Sequence, residues 1–560
     1  MNKELFGHDT TEIVESMNYI MSSLSKQVED NYRINNKRAT LGGEIGSYAE
    51  KFLDDRNLSV ESKSIDSVID LLVPMFQRAI NWENPGTMLN IVPPANIVSI
   101  ASSCYAMLFN PNLGQDETSG YLISSELLAT KYISQLVGWD WTTSGGVFTF
   151  GGKGTCLYAL KLGLNKAFGE EIQRLGISSF KENKAIVTST DKGHPCHAEV
   201  CDWLGIGADN CKRISTTSDG ILNIEELEAT LRQNIELGIK IACIFVNGGT
   251  SNEIIVDPID EVVELRDSLV KEYNLDYTPH IHVDAVIGWA WLFFKDYDFE
   301  KNELGMSRVE SSKIGSLTKK ISSIYKADSF GADFHKTGFC PYISSLFMSR
   351  EAQLITNIGK QKFIPKDELK FGEYSPFLYT LELSRSISGP MAAYSALETF
   401  GIEGFQELLY NCFSNGEYIR TFLNKQKEFE VINEDSEGIA SLVVVKKRND
   451  NRAFEEIVFN SSEEGIKEFL DYNHQFFLFC LKELEEFNID FKITFSKSYK
   501  PYGFSTPTGA LKIYPNSPIS TKEELEYILK QFVDTKDKFD SLSLKLSENR
   551  DIPDDFIYRS

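Results

Sequence analysis

A lysine that directly follows a histidine, 52 residues after an aspartate that closes an apolar run, is the pair in this chain best placed to do chemistry. The lysine is Lys336, in Ser329-Phe-Gly-Ala-Asp-Phe-His-Lys-Thr-Gly-Phe-Cys-Pro-Tyr342, and the aspartate is Asp284, in Ile281-His-Val-Asp-Ala-Val-Ile-Gly288. A lysine amine condenses with an aldehyde, and a buried carboxylate keeps a pyridine nitrogen protonated. Together they are the minimum apparatus of pyridoxal 5′-phosphate chemistry. Taken alone, a lysine at the end of an Asp-Phe-His-Lys turn also reads as a surface residue.

Three further segments carry candidate groups. Ser144-Gly-Gly-Val-Phe-Thr-Phe-Gly-Gly-Lys-Gly-Thr155 is a glycine-rich turn that runs into a helical stretch from Cys156. Backbone N–H groups at Gly152, Lys153, Gly154 and Thr155, backed by a helix N-terminus, suit a phosphate; a plain structural turn fits the same residues. Gly193 to Asp202 gathers His194, Cys196, His197 and Cys201. Their spacing matches no standard zinc pattern, so no metal is expected, and a metal module there stays as an alternative. Gly248-Gly-Thr-Ser-Asn252 ends a strand-like run with the hydroxyls of Thr250 and Ser251, or is an ordinary strand-end turn in water.

These groups need a frame. From about residue 95 to 390, short apolar runs alternate with helical stretches: Ala185–Ser189, Ile239–Asn247 and Pro279–Asp284 read as buried strands, and Ile259–Glu272 as a helix. Strands alternating with crossover helices predict a mostly parallel sheet, with ligands at the carboxyl ends of its strands. Asp284 and Asn247 sit at such ends. Residues 10 to 90 are helical in pattern, with Ile13, Met17, Ile20, Met21 and Leu24 on one face and a break at Pro74. After about 395 come a helix at Ala392–Gly401, strands at Ile439–Val445 and Ala510–Tyr514, and a helix at Glu464–Glu486. Thr521 to Glu524 matches a capping box, and the charged stretch from Asp534 is expected to fray.

The chain has 560 residues and a formal charge of −24, which argues against a nucleic-acid surface. The start Met1-Asn-Lys-Glu has no secretory pattern, no apolar run is long enough for a membrane span, and the nine cysteines are odd in number. A cytoplasmic protein with reduced thiols and no membrane contact is expected.

In this order and at these distances the segments resemble the group II pyridoxal-phosphate-dependent amino-acid decarboxylases, the family of the glutamate and aromatic amino-acid decarboxylases. The resemblance is strongest over about residues 80 to 400. It implies the aspartate-aminotransferase-like fold of fold type I: an N-terminal helical arm (1–90), a large cofactor-binding α/β domain (91–395) and a small C-terminal α/β domain (396–560). It implies a homodimer with a shared active site and pyridoxal phosphate as cofactor. The implied reaction converts an L-amino acid to its amine and CO2 through a Lys336 Schiff base. Within that reading Asp284 holds the ring nitrogen, and His335 lies near the phosphate. His194 stacks on the ring, with His197 as runner-up or a helix-surface histidine. Val286 stands where the family usually has alanine against the ring's other face. Thr250 and Ser251 reach the ring oxygen or the substrate carboxylate, and Lys153 contacts phosphate or faces solvent. Ser384 and Arg385 match a family pair beyond a mobile catalytic loop, here 349–372. That loop lacks the tyrosine of the decarboxylating members and has Phe363 close to its place. Aldehyde-forming relatives carry phenylalanine there, so decarboxylation coupled to oxidative deamination is one alternative, and a non-catalytic binding protein on the same fold is another. Tyr374 is a candidate substitute for the missing tyrosine. Lys512 falls where acid-substrate members keep an arginine for a carboxylate, or is a strand lysine facing water.

Overall fold

The computed structural model describes residues 9–32, 39–43, 46–54, 57–180, 184–486, 490–504 and 506–543. The strands are β1 (Thr87–Met88), β2 (Gly145–Thr149), β3 (Ala185–Thr190), β4 (Cys211–Ile214), β5 (Lys240–Asn247), β6 (His280–Asp284), β7 (Ser329–Asp333), β8 (Ser345–Ser349), β9 (Phe429–Val431), β10 (Ser441–Val445), β11 (Lys492–Ser496) and β12 (Ala510–Ile513). Seven form one sheet in the order β2-β8-β7-β6-β5-β3-β4, in which only β8 runs antiparallel to its neighbours. Strands β3, β6 and β7 are buried at every residue, because helices cover both faces. This is the expected mostly parallel α/β architecture. The register pairs Asn247 with Asp284, so the carboxyl ends of β5 and β6 open side by side.

The glycine-rich segment is not all turn. Its first half is strand β2, and only Phe150 and Gly151 separate that strand from the helix Gly152–Phe168. Gly146 permits the pairing: a Cβ there would lie 2.2 Å from the Phe347 carbonyl oxygen on β8. The edge strand is clamped from behind. Glu126, fully buried on the helix Ser124–Val137, accepts the Phe148 amide at 2.9 Å and both terminal nitrogens of buried Arg385. Glu126→Ala leaves the Arg385 charge buried without its partner and is expected to cost about 3–5 kcal/mol, measured by denaturant unfolding.

A second sheet, β1-β11-β12-β10-β9, packs on the helices Glu463–Glu486 and Lys522–Ser543. Here three expectations change. The segment 1–90 is not only helical, since Thr87–Met88 pairs with Lys492–Ile493 of the C-terminal sheet. The boundary at 395–396 falls inside one helix, Ser388–Leu423, bent at Gly401, with Ala392 and Ala396 in the first core and Ile419 and Leu423 in the second. The chain does not fray from Asp534. Its last helix continues to Ser543 because Lys536 and Asp540 pair at 2.6 Å under Tyr472, which also donates to Asp540; residues 544–560 lie outside the described residues. The Thr521–Glu524 capping box forms. No described helix is long and apolar enough to cross a membrane.

Candidate active site

Strand β7 ends at Asp333, and the next turn of helix carries His335 and Lys336. This i,i+3 geometry brings Lys336 Nζ to 2.8 Å from Asp333 Oδ2. Burial works to lower the Lys336 pKa, but the Asp333 carboxylate, helped by Asp284, outweighs it and holds the ammonium above its ordinary value. Ser345 on β8 donates to the other oxygen of Asp333. His335 is buried, accepts the Ser344 amide on Nδ1 at 3.2 Å and lies against the Tyr342 ring; burial pushes its pKa down. Its Nε2 is 3.4 Å from Asp333 Oδ2, so within this chain it belongs to the Asp333 cluster.

Asp284 is buried at the end of β6. Its Oδ2 is 3.0 Å from His197 Nε2, while its Oδ1 is buried with no hydrogen-bond partner. Burial opposes the charge, and the His197 hydrogen bond, with the charges of His194 and Lys336, overcomes it, holding the carboxyl well below the usual range. A carboxylate only accepts, so His197 Nε2 must carry a proton. Its Nδ1 then accepts from Ser189 Oγ at 2.7 Å, and Ser189 Oγ accepts from Arg213 at 3.0 Å. His197 is thus no helix-surface residue: it is fully buried and stacked on Phe245 at 4.4 Å. His194, the first choice for stacking, is solvent-exposed. Its Nδ1 accepts the Cys196 amide at 3.1 Å, and its pKa is raised, first by the Cys196 thiol. Asp284 and Lys336 also act on it, so it faces the same opening.

The helix Gly152–Phe168 starts beside this cluster. Gly151 adopts φ +137° with open space where a side chain would stand, and a Cβ on Gly152 would lie 3.1 Å from Asp333 Oδ2 and 3.2 Å from Val286. Gly154 N–H turns back to the Gly151 carbonyl at 2.8 Å, and Thr155 Oγ donates to the Gly152 carbonyl at 2.7 Å. Lys153 points elsewhere: it pairs with Glu199 and lies over the Trp203 ring, because the second position of the helix faces outward. Thr250 Oγ accepts the Ile255 amide at 3.1 Å, which ties its own turn, and the Ser251 carbonyl accepts from Tyr514.

Lys512 does not face water. It is buried on β12 and donates to Asn252 at 2.9 Å; burial pushes its pKa down to about 7, Glu253 opposes that and Lys336 adds to it. Tyr374 donates to Glu126 at 3.1 Å, so its hydroxyl is engaged behind β2. The loop 349–372 contains a short helix, Ala352–Thr356, and Phe363 lines a cavity of about 260 Å³ with Lys366, Tyr374 and Tyr379. His282 is a packed neighbour with Nδ1 2.8 Å from Ser329 Oγ.

Burial pushes the His282 pKa down to about 3. The unfolded chain takes up this proton near pH 6.5, while the fold refuses it down to about 3, so stability is lost as pH falls through that window. His282→Phe is expected to lose about 2 kcal/mol less than the parent between about pH 7 and pH 5, read from urea unfolding at both.

The donor set fits pyridoxal phosphate: a lysine amine, an unpartnered buried carboxylate oxygen and an open helix N-terminus converge. Residues 53–446 match the pyridoxal-dependent decarboxylase conserved domain. The chain belongs to the pyridoxal-dependent decarboxylase family. It is 21% identical over 437 residues to an aromatic-L-amino-acid decarboxylase of Bacillus atrophaeus, covering 77% of this chain and 78% of that one. It is 22% identical over 394 residues to an aspartate 1-decarboxylase of Aliivibrio fischeri, covering 69% of this chain and 65% of that one. The fold matches the crystal structure of mouse CSAD with a TM-score of 0.74 at 16% identity, over 93% of this chain and 98% of that one. As a member of this family the protein is a carboxy-lyase with pyridoxal phosphate as its cofactor.

The cluster includes His197, which local pattern ranks behind His194, and Asp333, to which it assigns no role. The i,i+3 spacing of Asp333 and Lys336 was the available signal for the second. Nothing local signalled Ser189, Arg213 or Glu126, which act across 8 to 259 residues of chain.

Proposed function

We propose that the chain removes the α-carboxylate of an L-amino acid as CO2, leaving the amine, at a site built from Lys336, Asp284, Asp333, His194 and His197. The observation that carries this reading is the free, buried Oδ1 of Asp284, whose other oxygen is held by His197. Pyridoxal phosphate supplies an aldehyde for the substrate amine and a ring that withdraws electrons from the carbon losing CO2. The chain supplies the rest. Asp284, kept ionised, holds a proton on the facing nitrogen. The relay from Arg213 through Ser189 fixes the His197 tautomer. Asp333 holds the Lys336 proton when the amine is free, and so sets where that proton waits. The amides of the Gly152 helix N-terminus take the phosphate, and His194 covers the ring from the solvent side.

The substrate's carboxylate and side chain meet Lys512, Asn252 and Ser251 in this reading. The homodimer is supported by large apolar side chains left in solvent, among them Ile97, Phe109, Tyr121 and Leu383. A cytoplasmic location is supported by nine free cysteines. The test is a screen of L-amino acids for CO2 release by purified, yellow protein. One substrate giving amine and CO2 in equal amounts is expected, and no release from any overturns the reading. A second reading, aldehyde formation with loss of ammonia, is favoured by Phe363 in the loop. Ammonia and peroxide released in step with CO2 would select it.

A further inference from the structure

Behind the Asp284 carboxylate the fold assembles two thiols that the proposed reaction does not use. Cys156 lies on the helix Gly152–Phe168 and Cys196 opens the helix Cys196–Trp203. Both are buried, and their Sγ atoms are 4.0 Å apart. With His197 and Asp284 they offer one donor atom each, all within 4.8 Å of one another.

This donor set has the chemistry of a zinc centre. With Zn–S near 2.3 Å and Zn–N or Zn–O near 2.0–2.1 Å, the ligand atoms of a tetrahedral site lie roughly 3.3–3.8 Å apart. The thiol pair at 4.0 Å and the His197–Asp284 pair at 3.0 Å lie just outside the two ends of that range, and every pair is within 4.8 Å, so side-chain rotations that draw the atoms in by up to about 1 Å close the shell. The support around the ligands is also present. Arg213 holds Ser189 Oγ, which lies 2.7 Å from His197 Nδ1 and so orients the ring with Nε2 toward Asp284. Cys201, in the segment whose spacing matches no standard zinc pattern, turns away and donates to the His197 carbonyl. The four ligands come from positions 156, 196, 197 and 284, a pattern no linear motif describes.

We propose that Cys156, Cys196, His197 and Asp284 form a four-ligand site for a thiophilic divalent cation, which the cofactor-free chain binds at the expense of pyridoxal phosphate. Binding releases the two thiol protons to solvent, shifts the His197 proton from Nε2 to Nδ1, which then donates to Ser189 Oγ, and moves no electrons. The ion draws on the carboxylate that would hold the ring nitrogen, and it takes His197 away from that carboxylate. Metal and cofactor therefore compete for Asp284.

The test uses the full chain stripped of cofactor and titrated with Zn2+ alone. One equivalent per chain should survive desalting, and zinc-edge X-ray absorption should show two sulfur neighbours at about 2.3 Å and two nitrogen or oxygen neighbours at about 2.0 Å. Cys196→Ser should weaken zinc binding at least about tenfold, while Cys201→Ser should not. If Cys196→Ser does not fold, the absorption spectrum of the parent protein decides. Pyridoxal phosphate affinity, followed by quenching of tryptophan fluorescence, should fall at least about tenfold in the presence of one equivalent of zinc. No retained zinc, a shell without sulfur, or cofactor affinity indifferent to zinc would each overturn the proposal.

Discussion

Replacing Lys336 by alanine is expected to lower kcat by on the order of a thousandfold or more. The side chain is the amine placed to hold an aldehyde, and it is only partly open to solvent, with 21% of its side chain exposed. Its loss removes both the covalent anchor and the proton that Asp333 shares. Borohydride reduction of the loaded protein followed by mass spectrometry should label the peptide containing residue 336 in the parent and leave it unlabelled in Lys336→Ala. Turnover at the parent level, or a label on a different lysine, would refute the assignment. The variant leaves Asp333 buried without its cation, so some loss of stability accompanies the loss of activity. A small primary amine added to the assay separates the two: partial rescue is expected if chemistry was lost, and none if the fold was.

Asp284→Asn should lower kcat by about 10²–10³-fold and change folding stability by no more than about 1 kcal/mol. The asymmetry follows from the electrostatics. Burying this carboxylate costs stability, and only His197, with more distant help from His194 and Lys336, compensates. Asparagine keeps an acceptor for His197 Nε2 and removes the charge, so the fold loses little. A ring nitrogen facing an amide loses its proton, and with it most of the electron withdrawal. Steady-state kinetics beside denaturant unfolding gives the split directly. Unchanged kcat, or a loss explained by unfolding, would count against the role given to Asp284.

Several parts of the site could be read from the chain because they are local. The strand ending at Asp284 and the helix opening at Gly152 depend on short runs of apolar and glycine residues, and each appears within a few residues of its expected place. The Asp333–Lys336 contact is a matter of helical spacing. Other parts could not be read. His194 and His197 are three residues apart, and local pattern does not say which one turns inward. The packing of His197 on Phe245 of β5, half a hundred residues on, settles it. Lys153 sits in the glycine-rich segment yet pairs with Glu199, because the helix Cys196–Trp203 lies beside it. Thr87 and Met88 are too short a run to show any strand period, and they join a sheet whose partner lies some four hundred residues away. The charged tail from Asp534 looked unstable until Tyr472 covered its ion pair.

Sequence by itself determined the kind of chemistry here, since an amine, an acid and a glycine-rich helix start are properties of residue type and near neighbours. Tertiary structure alone decided which imidazole holds Asp284, where Lys153 and Lys512 point, and that two distant thiols share that carboxylate's surroundings. Those outcomes depend on which helix faces pack together, and packing sums over contacts that no local window contains.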